Sequence, residues 1–251
     1  MSAFSSVDRA PDPDRLIRVL EDSAVGLGAM KRYMATAHAL RRPTAPVLDL
    51  GCGIGHDLVL LADAGVACVG VDPSRVMLDV AARRVVGPLL QACGEHLPFA
   101  AHVFGGCRME RVLMHVAEPA VVVAEAARCV QPGCLLTIFE PDWSSLTVNG
   151  SPVPVRWVSN ARHPSIGAAV GDLLTEAGCE LVDRVDERSW WDFDAFERIT
   201  NLEQSLARAV STGHASRRKA QDWLAKQRRR AAAGSFRTEI AKVLWVATTP
   251  A

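Results

Sequence analysis

Apolar positions follow two different rhythms along this chain. Over residues 14–40 they recur at helical spacing, at Leu16, Val19 and Leu20 and then at Met30, Met34 and Ala37, with a break at Gly26-Leu27-Gly28. From Pro46 onward, short apolar runs alternate with helical stretches. The run 46–50 precedes a helical pattern over 57–64, and the run 66–71 precedes a helix holding Met77, Leu78 and Ala81. A third strand precedes Glu95, the fourth strand and its exit span 103–116, and a fifth strand covers 135–139. Strand–helix alternation of this kind predicts an α/β fold with a Rossmann-like, doubly wound parallel sheet.

The second half adds a helix over 166–177, closed by Gly178, and a strand over 180–191. Two helical stretches, 195–210 and 215–232, come before a last strand at 240–248. That gives seven strands, the last antiparallel at or near the sheet edge. The helical insertion at 192–234 is placed to act as a lid over the strand ends. Residues 14–251 read as one domain with an N-terminal helical cap at 14–42, and residues 1–13 read as a disordered start.

Composition narrows the class. At 251 residues and 49% hydrophobic the chain has material for a sizeable core. Lys+Arg and Asp+Glu are both 28, which argues against a general nucleic-acid partner. The runs Arg217-Arg218-Lys219 and Arg228-Arg229-Arg230 are therefore expected on a solvated helix face. No apolar stretch has the length of a membrane span, and the first residues contain no secretory h-region. Seven scattered cysteines without a C-x-x-C pair read as reduced thiols, so a cytoplasmic protein without a metal site is expected.

The most informative segment is Val47-Leu48-Asp49-Leu50-Gly51-Cys52-Gly53-Ile54-Gly55. A buried strand runs into a turn where three glycines let the backbone bend sharply and pass close to a ligand. The helix that follows presents free N–H groups and its positive end at the same place. Dinucleotide folds place a third glycine at what is here position 56, which is His. Downstream, the acid ending the second strand, Asp72, is placed to accept hydrogen bonds from a ribose. It could equally cap the following helix, as could Ser74.

The string V-L-D-L-G-C-G-x-G resembles the first motif of class I S-adenosylmethionine-dependent methyltransferases. Glu95-His96-Leu97-Pro98-Phe99, the run R-V-L-x-H from Arg111 to His115, Glu125–Arg128 and Glu140-Pro141-Asp142-Trp143 extend the likeness toward bacterial small-molecule enzymes of the ubiquinone and menaquinone type. The resemblance implies S-adenosylmethionine as cofactor and S-adenosylhomocysteine as product. It implies a cofactor site drawn from Asp49, Gly51, Cys52, Gly53, Gly55, Asp57, Asp72, Pro73, Met77, Cys93, Gly94, Glu95 and Arg111. Two positions depart from the pattern. Cys93 stands where the family has an aspartate for the adenine amino group, leaving adenine to main-chain groups, water or Leu97. Gly105 stands where an acid opens the fourth strand.

Methyl transfer from a sulfonium is an in-line displacement, so alignment is the protein's main contribution. A base is needed only for hydroxyl or acidic carbon acceptors. His115 and Asp142 are the catalytic candidates, and Glu140 reads as a turn cap. The implied acceptor is a small, quinone-like or natural-product-like molecule methylated at O, N or C, with a monomer or homodimer as the working unit. Cyclisation or rearrangement on the same scaffold, or a non-catalytic protein that binds the cofactor, are the alternatives.

Overall fold

In the computed structural model, which describes residues 7–10, 12–26 and 28–250, the apolar runs become the inner strands of a single sheet. Two helices open the chain, α1 (Pro13–Gly26) and α2 (Gly28–Leu40). The first βα units are β1 (Val47–Leu50) with α3 (His56–Asp63) and β2 (Cys68–Asp72) with α4 (Arg75–Ala81). Then come β3 (Leu89–Gln91), β4 (Phe104–Glu110), α5 (Pro119–Cys129), β5 (Val130–Val148) and the short β6 (Ser151–Pro152). The rest comprises α6 (Val155–Val158), α7 (Ile166–Glu176), β7 (Glu180–Ser189), α8 (Phe193–Thr200), α9 (Leu202–Ser211), α10 (Arg217–Ala232) and β8 (Thr238–Thr248).

The strands lie in the order β3-β2-β1-β4-β5-β8-β7, with β6 paired to β5. β1 to β5 pair in parallel, while β8 runs antiparallel to both its neighbours. The last strand is thus antiparallel as expected and sits one place in from the edge, which β7 forms. Order reverses beside β1, so the ends of β1, β2 and β4 open a crevice at the switch point.

The structure corrects several boundaries. Residues 140–143, read as the exit from the fifth strand, stay in β5 because β8 supplies their ladder, with Pro141 opposite Lys242 and Asp142 opposite Ala241. The helical stretch 195–210 is two helices, broken where Asn201 turns left-handed at φ 46°. Residues 7–9 form a 3-10 turn rather than a disordered start. Val7 is buried there against Leu16, Ile54 and Met77. Of that start, residues 1–6 and 11 lie outside the described residues, as does Leu27 between α1 and α2.

Gly105 is set by packing. A Cβ there would stand 2.5 Å from the Ala45 carbonyl oxygen and 2.8 Å from Pro43 Cβ, so an acid cannot occupy the position with this backbone. On α10 the buried positions are Ala220 and Gln227, and the basic side chains point outward; Arg228 pairs with Glu197 and Glu203. Among the described residues no helix is long and apolar enough to cross a membrane.

Candidate active site

β1 ends in the glycine turn. Gly51, Gly53 and Gly55 all have positive φ, at 77°, 51° and 81°. The backbone N–H groups of Gly51 and Cys52 both donate to the Val71 carbonyl, at 2.7 and 3.0 Å, which ties the turn to the end of β2. A Cβ on Gly51 would come 2.4 Å from Val112 Cγ2, so the turn after β4 closes down on a cradle only glycine can form.

Asp72 holds this arrangement from β2. Its Oδ1 accepts from the Ser74 N–H at 2.8 Å and its Oδ2 from the Gly53 N–H at 2.9 Å. Each carboxylate oxygen keeps a second lone-pair direction, so the group retains capacity for two further donors such as a vicinal diol. Burial pushes the Asp72 carboxyl up to about 6, against the two N–H bonds that lower it. Capping falls to Ser74, whose Oγ accepts from the Met77 N–H at 3.2 Å. Ser74, and not Asp72, is therefore the N-cap of α4.

A cavity of about 430 Å³ opens over the turn. Of the expected cofactor residues, Gly51, Cys52, Gly53, Asp57, Asp72 and Pro73 line it, as do Met77, Cys93, Gly94, Glu95 and Arg111. Two do not. Gly55 packs its Cα side on Ala81 of α4, and Asp49 lies beneath the turn, 2% exposed. Leu97 is in the main core instead of on the cavity wall, its N–H held by Glu125, which Arg128 clasps in turn. The far wall comes from the 112–117 turn, from Pro141 and Trp143, from the end of α6 and the loop after it, and from Ile199 and Thr200 of α8 and Ser205 of α9.

Asp49 belongs to a buried charge cluster that sequence reasoning missed. Asp49 and Arg108 are register partners on β1 and β4, and Glu110 lies two residues on, on the same face. Lys31 from α2 and Asp57 from the first turn of α3 complete the group. Lys31 Nζ contacts both Asp57 oxygens at 3.0 and 2.8 Å and also reaches Glu110 Oε2. Arg108 lies 2.9 Å from Asp57, 3.6 Å from Glu110 and 3.9 Å from Asp49. Burial alone would raise the Asp57 carboxyl, but Arg108 and Lys31 hold it well below its usual range. Asp49, with a more distant cation, is pushed by burial up to about 7. Lys31, Asp57 and Glu110 also reach the cavity wall, so the cluster forms part of its floor.

The two catalytic candidates separate. His115 lines the cavity on the turn after β4, where burial first and Arg111 second lower its imidazole to about 3. Asp142 does not line it. Successive strand residues point to opposite faces, so Pro141 and Trp143 meet the cavity while Asp142 turns away and accepts from the Ser144 N–H at 2.9 Å.

Glu140 is fully buried and caps the turn after β4, not one before Pro141, accepting from the Leu113 N–H at 2.6 Å. Burial raises its carboxyl to about 8. A carboxyl raised on folding stabilises the protein below its unfolded pKa, and that stability is lost as pH rises through the folded value. The melting temperature should therefore fall between about pH 5 and pH 8. Glu140→Gln, which keeps an acceptor for Leu113, should flatten part of that fall and leave the share due to Asp49. An unchanged slope in thermal melts would show that Glu140 does not titrate there.

A family model described as a methyltransferase domain matches residues 48–138, which span the glycine turn through the middle of β5. An uncharacterised methyltransferase of Mycolicibacterium gilvum is 33% identical over 135 residues, 53% of this chain and 52% of that protein. Residues 48–138 carry a class I S-adenosylmethionine-dependent methyltransferase domain. The family's cofactor is S-adenosylmethionine. An uncharacterised protein of transposon TN4556 from Streptomyces fradiae is similar to this chain at 35% identity over 198 residues, covering 73% of the chain and 57% of the relative. The chain thus spans little more than half the length of these two relatives. In fold, the chain matches a structure of a candidate methyltransferase from Bacillus halodurans with a TM-score of 0.63 at 17% identity. That match covers 86% of this chain and 99% of the other.

Proposed function

We propose that this chain transfers a methyl group from S-adenosylmethionine to a small organic acceptor, leaving S-adenosylhomocysteine. The observation that carries the reading is the continuity of one cavity, from the glycine cradle and Asp72 to a far wall shared by the 112–117 turn, β5, the loop after α6, and α8 and α9. Asp72 would take the ribose hydroxyls on its two remaining lone-pair directions. Cys93, Gly94 and Glu95 would border the adenine end, and the floor under Lys31, Asp57 and Glu110 would border the amino-acid end. The bound cofactor supplies an electrophilic methyl group on a sulfonium, and the protein supplies alignment and a dry wall.

His115 fits an alignment role. An imidazole kept neutral at working pH can accept a hydrogen bond from an acceptor hydroxyl, although it is a weak base. Asp142 has no part in this reading. Packing accounts for Gly105, so that departure does not point to another reaction. Residues 14–251 would then be one catalytic unit, with 14–42 as cap and 192–234 as lid, acting as a monomer or homodimer. Seven free thiols and a balanced charge suit a cytoplasmic enzyme of small molecules, possessing no need of nucleic acid.

Titration with S-adenosylhomocysteine, followed by calorimetry and melting temperature, tests the reading. A ligand at 100 times its Kd that binds only the folded chain stabilises it by about 2.7 kcal/mol. For a domain of this size that raises the melting point by roughly 5–10 °C. No binding at millimolar ligand would remove the cofactor site and the function with it. Mass spectrometry of acceptors incubated with S-adenosylmethionine then separates methylation, which adds one CH₂, from cyclisation, which adds nothing.

A further inference from the structure

Nearly every charged side chain on the cavity wall already has a partner inside the protein. Lys31 is held by Asp57 and Glu110, and Arg111 Nε donates to Glu110 Oε1 at 2.8 Å. Asp72 accepts from two backbone N–H groups, and Glu95 accepts from the Ala117 N–H at 2.9 Å. His56 contacts Arg84. Arg162 is different. This exposed residue lines the cavity, and its side chain makes no ion pair or hydrogen bond among the described residues.

The backbone that carries Arg162 is nonetheless fixed on both sides. The N–H groups of Arg162 and His163 both donate to the Met114 carbonyl, at 2.9 and 3.2 Å, and the His163 ring meets the Val116 carbonyl at 3.2 Å. Arg156 Nη1 donates to the Ala161 carbonyl at 3.0 Å, and the Trp143 N–H donates to the Pro164 carbonyl at 2.7 Å. The loop is thereby stitched to the turn bearing His115 and to β5. Among the described residues, its one cation without a protein partner is carried on a rigid support, as a recognition group requires. The neighbouring wall is apolar, made by Met114, Val116, Trp143, Val158 and Ile199.

Resting on the methyltransferase reading, we propose that Arg162 determines acceptor specificity by binding a carboxylate on a compact, apolar acceptor of aromatic size. The planar guanidinium matches a carboxylate in a two-point contact, and the apolar wall holds the body of the molecule. A single free cation balances one negative charge, which favours a carboxylate over a phosphate monoester with its nearly double charge.

The test uses the full chain saturated with S-adenosylhomocysteine. Hydroxylated benzoates and cinnamates are titrated against their neutral carboxamides, in the wild type, Arg162→Ala and Arg162→Lys. The expected result is acid binding at least about tenfold tighter than amide binding, the scale of a hydrogen bond to a charged group. Arg162→Ala should abolish that preference and Arg162→Lys should keep part of it, with affinity for S-adenosylhomocysteine unchanged in both variants. Absence of an acid preference, or its survival in Arg162→Ala, overturns the proposal. So does a parallel loss of S-adenosylhomocysteine affinity, which would make Arg162 a cofactor ligand. Failure of the wild type to bind S-adenosylhomocysteine at all would instead overturn the methyltransferase reading and, with it, this inference.

Discussion

Arg108→Met is expected to lower the melting temperature by roughly 10 °C, the largest loss of stability from any single change considered in this fold. Arg108 is fully buried and stands among Asp57, Glu110 and Asp49. Burial disfavours its charge, but the three carboxylates more than compensate and raise its pKa. Methionine fills much of the same volume yet leaves the carboxylates with Lys31 alone. Removing one partner from a buried ion pair costs about 3–5 kcal/mol, because the remaining charge is stranded. At about 2–4 °C per kcal/mol for a domain of this size, that gives the expected shift.

The pH dependence of that loss has a definite sign. The depressed Asp57 carboxyl contributes stability above its unfolded pKa, and this is lost only as pH falls through the lower folded value. Without Arg108 the depression is weaker, so the deficit should be greatest near neutral pH and shrink in acid as the carboxylates protonate. Calorimetric melts at pH 5 and pH 8 would show this. A change below about 3 °C at both values would mean the cluster relaxes by protonation or water entry and is not held by Arg108.

The cluster also shows where sequence reading stops. The glycine turn and Asp72 could be read directly because main-chain geometry dictates them: positive φ demands glycine, and the acid follows at the end of the next strand. Lys31, Asp57, Arg108 and Glu110 come from α2, α3 and β4, and their meeting depends on how those elements pack. One signal was present. Arg108 and Glu110 alternate with Cys107 and Met109 in a strand buried along almost its whole length, so two charges on one covered face required partners.

Asp142 was misplaced for a related reason. Read as loop, residues 140–143 leave any side chain free to face the acceptor, whereas a strand fixes alternate sides and sends Asp142 outward. Asn201 carried a readable cue to the break in the lid, since asparagine tolerates the left-handed conformation that ends a helix. Arg162 carried none. Its place on the wall follows from hydrogen bonds between two loops far apart in the chain.

Asp72→Ala is expected to weaken binding of S-adenosylhomocysteine by about 10–100-fold, with only a modest effect on folding. Hydrogen bonds to a charged group contribute roughly 1.5–3 kcal/mol, and the substitution removes both the ribose acceptors and the tie between Gly53 and β2. Asp72→Asn should do little better, because its amide nitrogen would face an N–H donor. The wild-type affinity should also fall as pH drops through about 6, where the raised carboxyl takes up a proton and loses acceptor capacity. Stability runs the other way: a raised carboxyl favours folding below its unfolded pKa, a benefit lost as pH rises through 6. In Asp72→Ala both trends should weaken together. Helix α4 should survive the change, because Ser74 still caps it and Asp8 accepts from the Arg75 and Val76 N–H groups at 3.0 and 3.2 Å. Calorimetric titration at pH 5 and pH 8, on a variant whose circular dichroism matches the wild type, separates lost binding from lost fold. Unchanged affinity in that folded variant would remove Asp72 from the cofactor site and leave it only its bonds to Gly53 and Ser74.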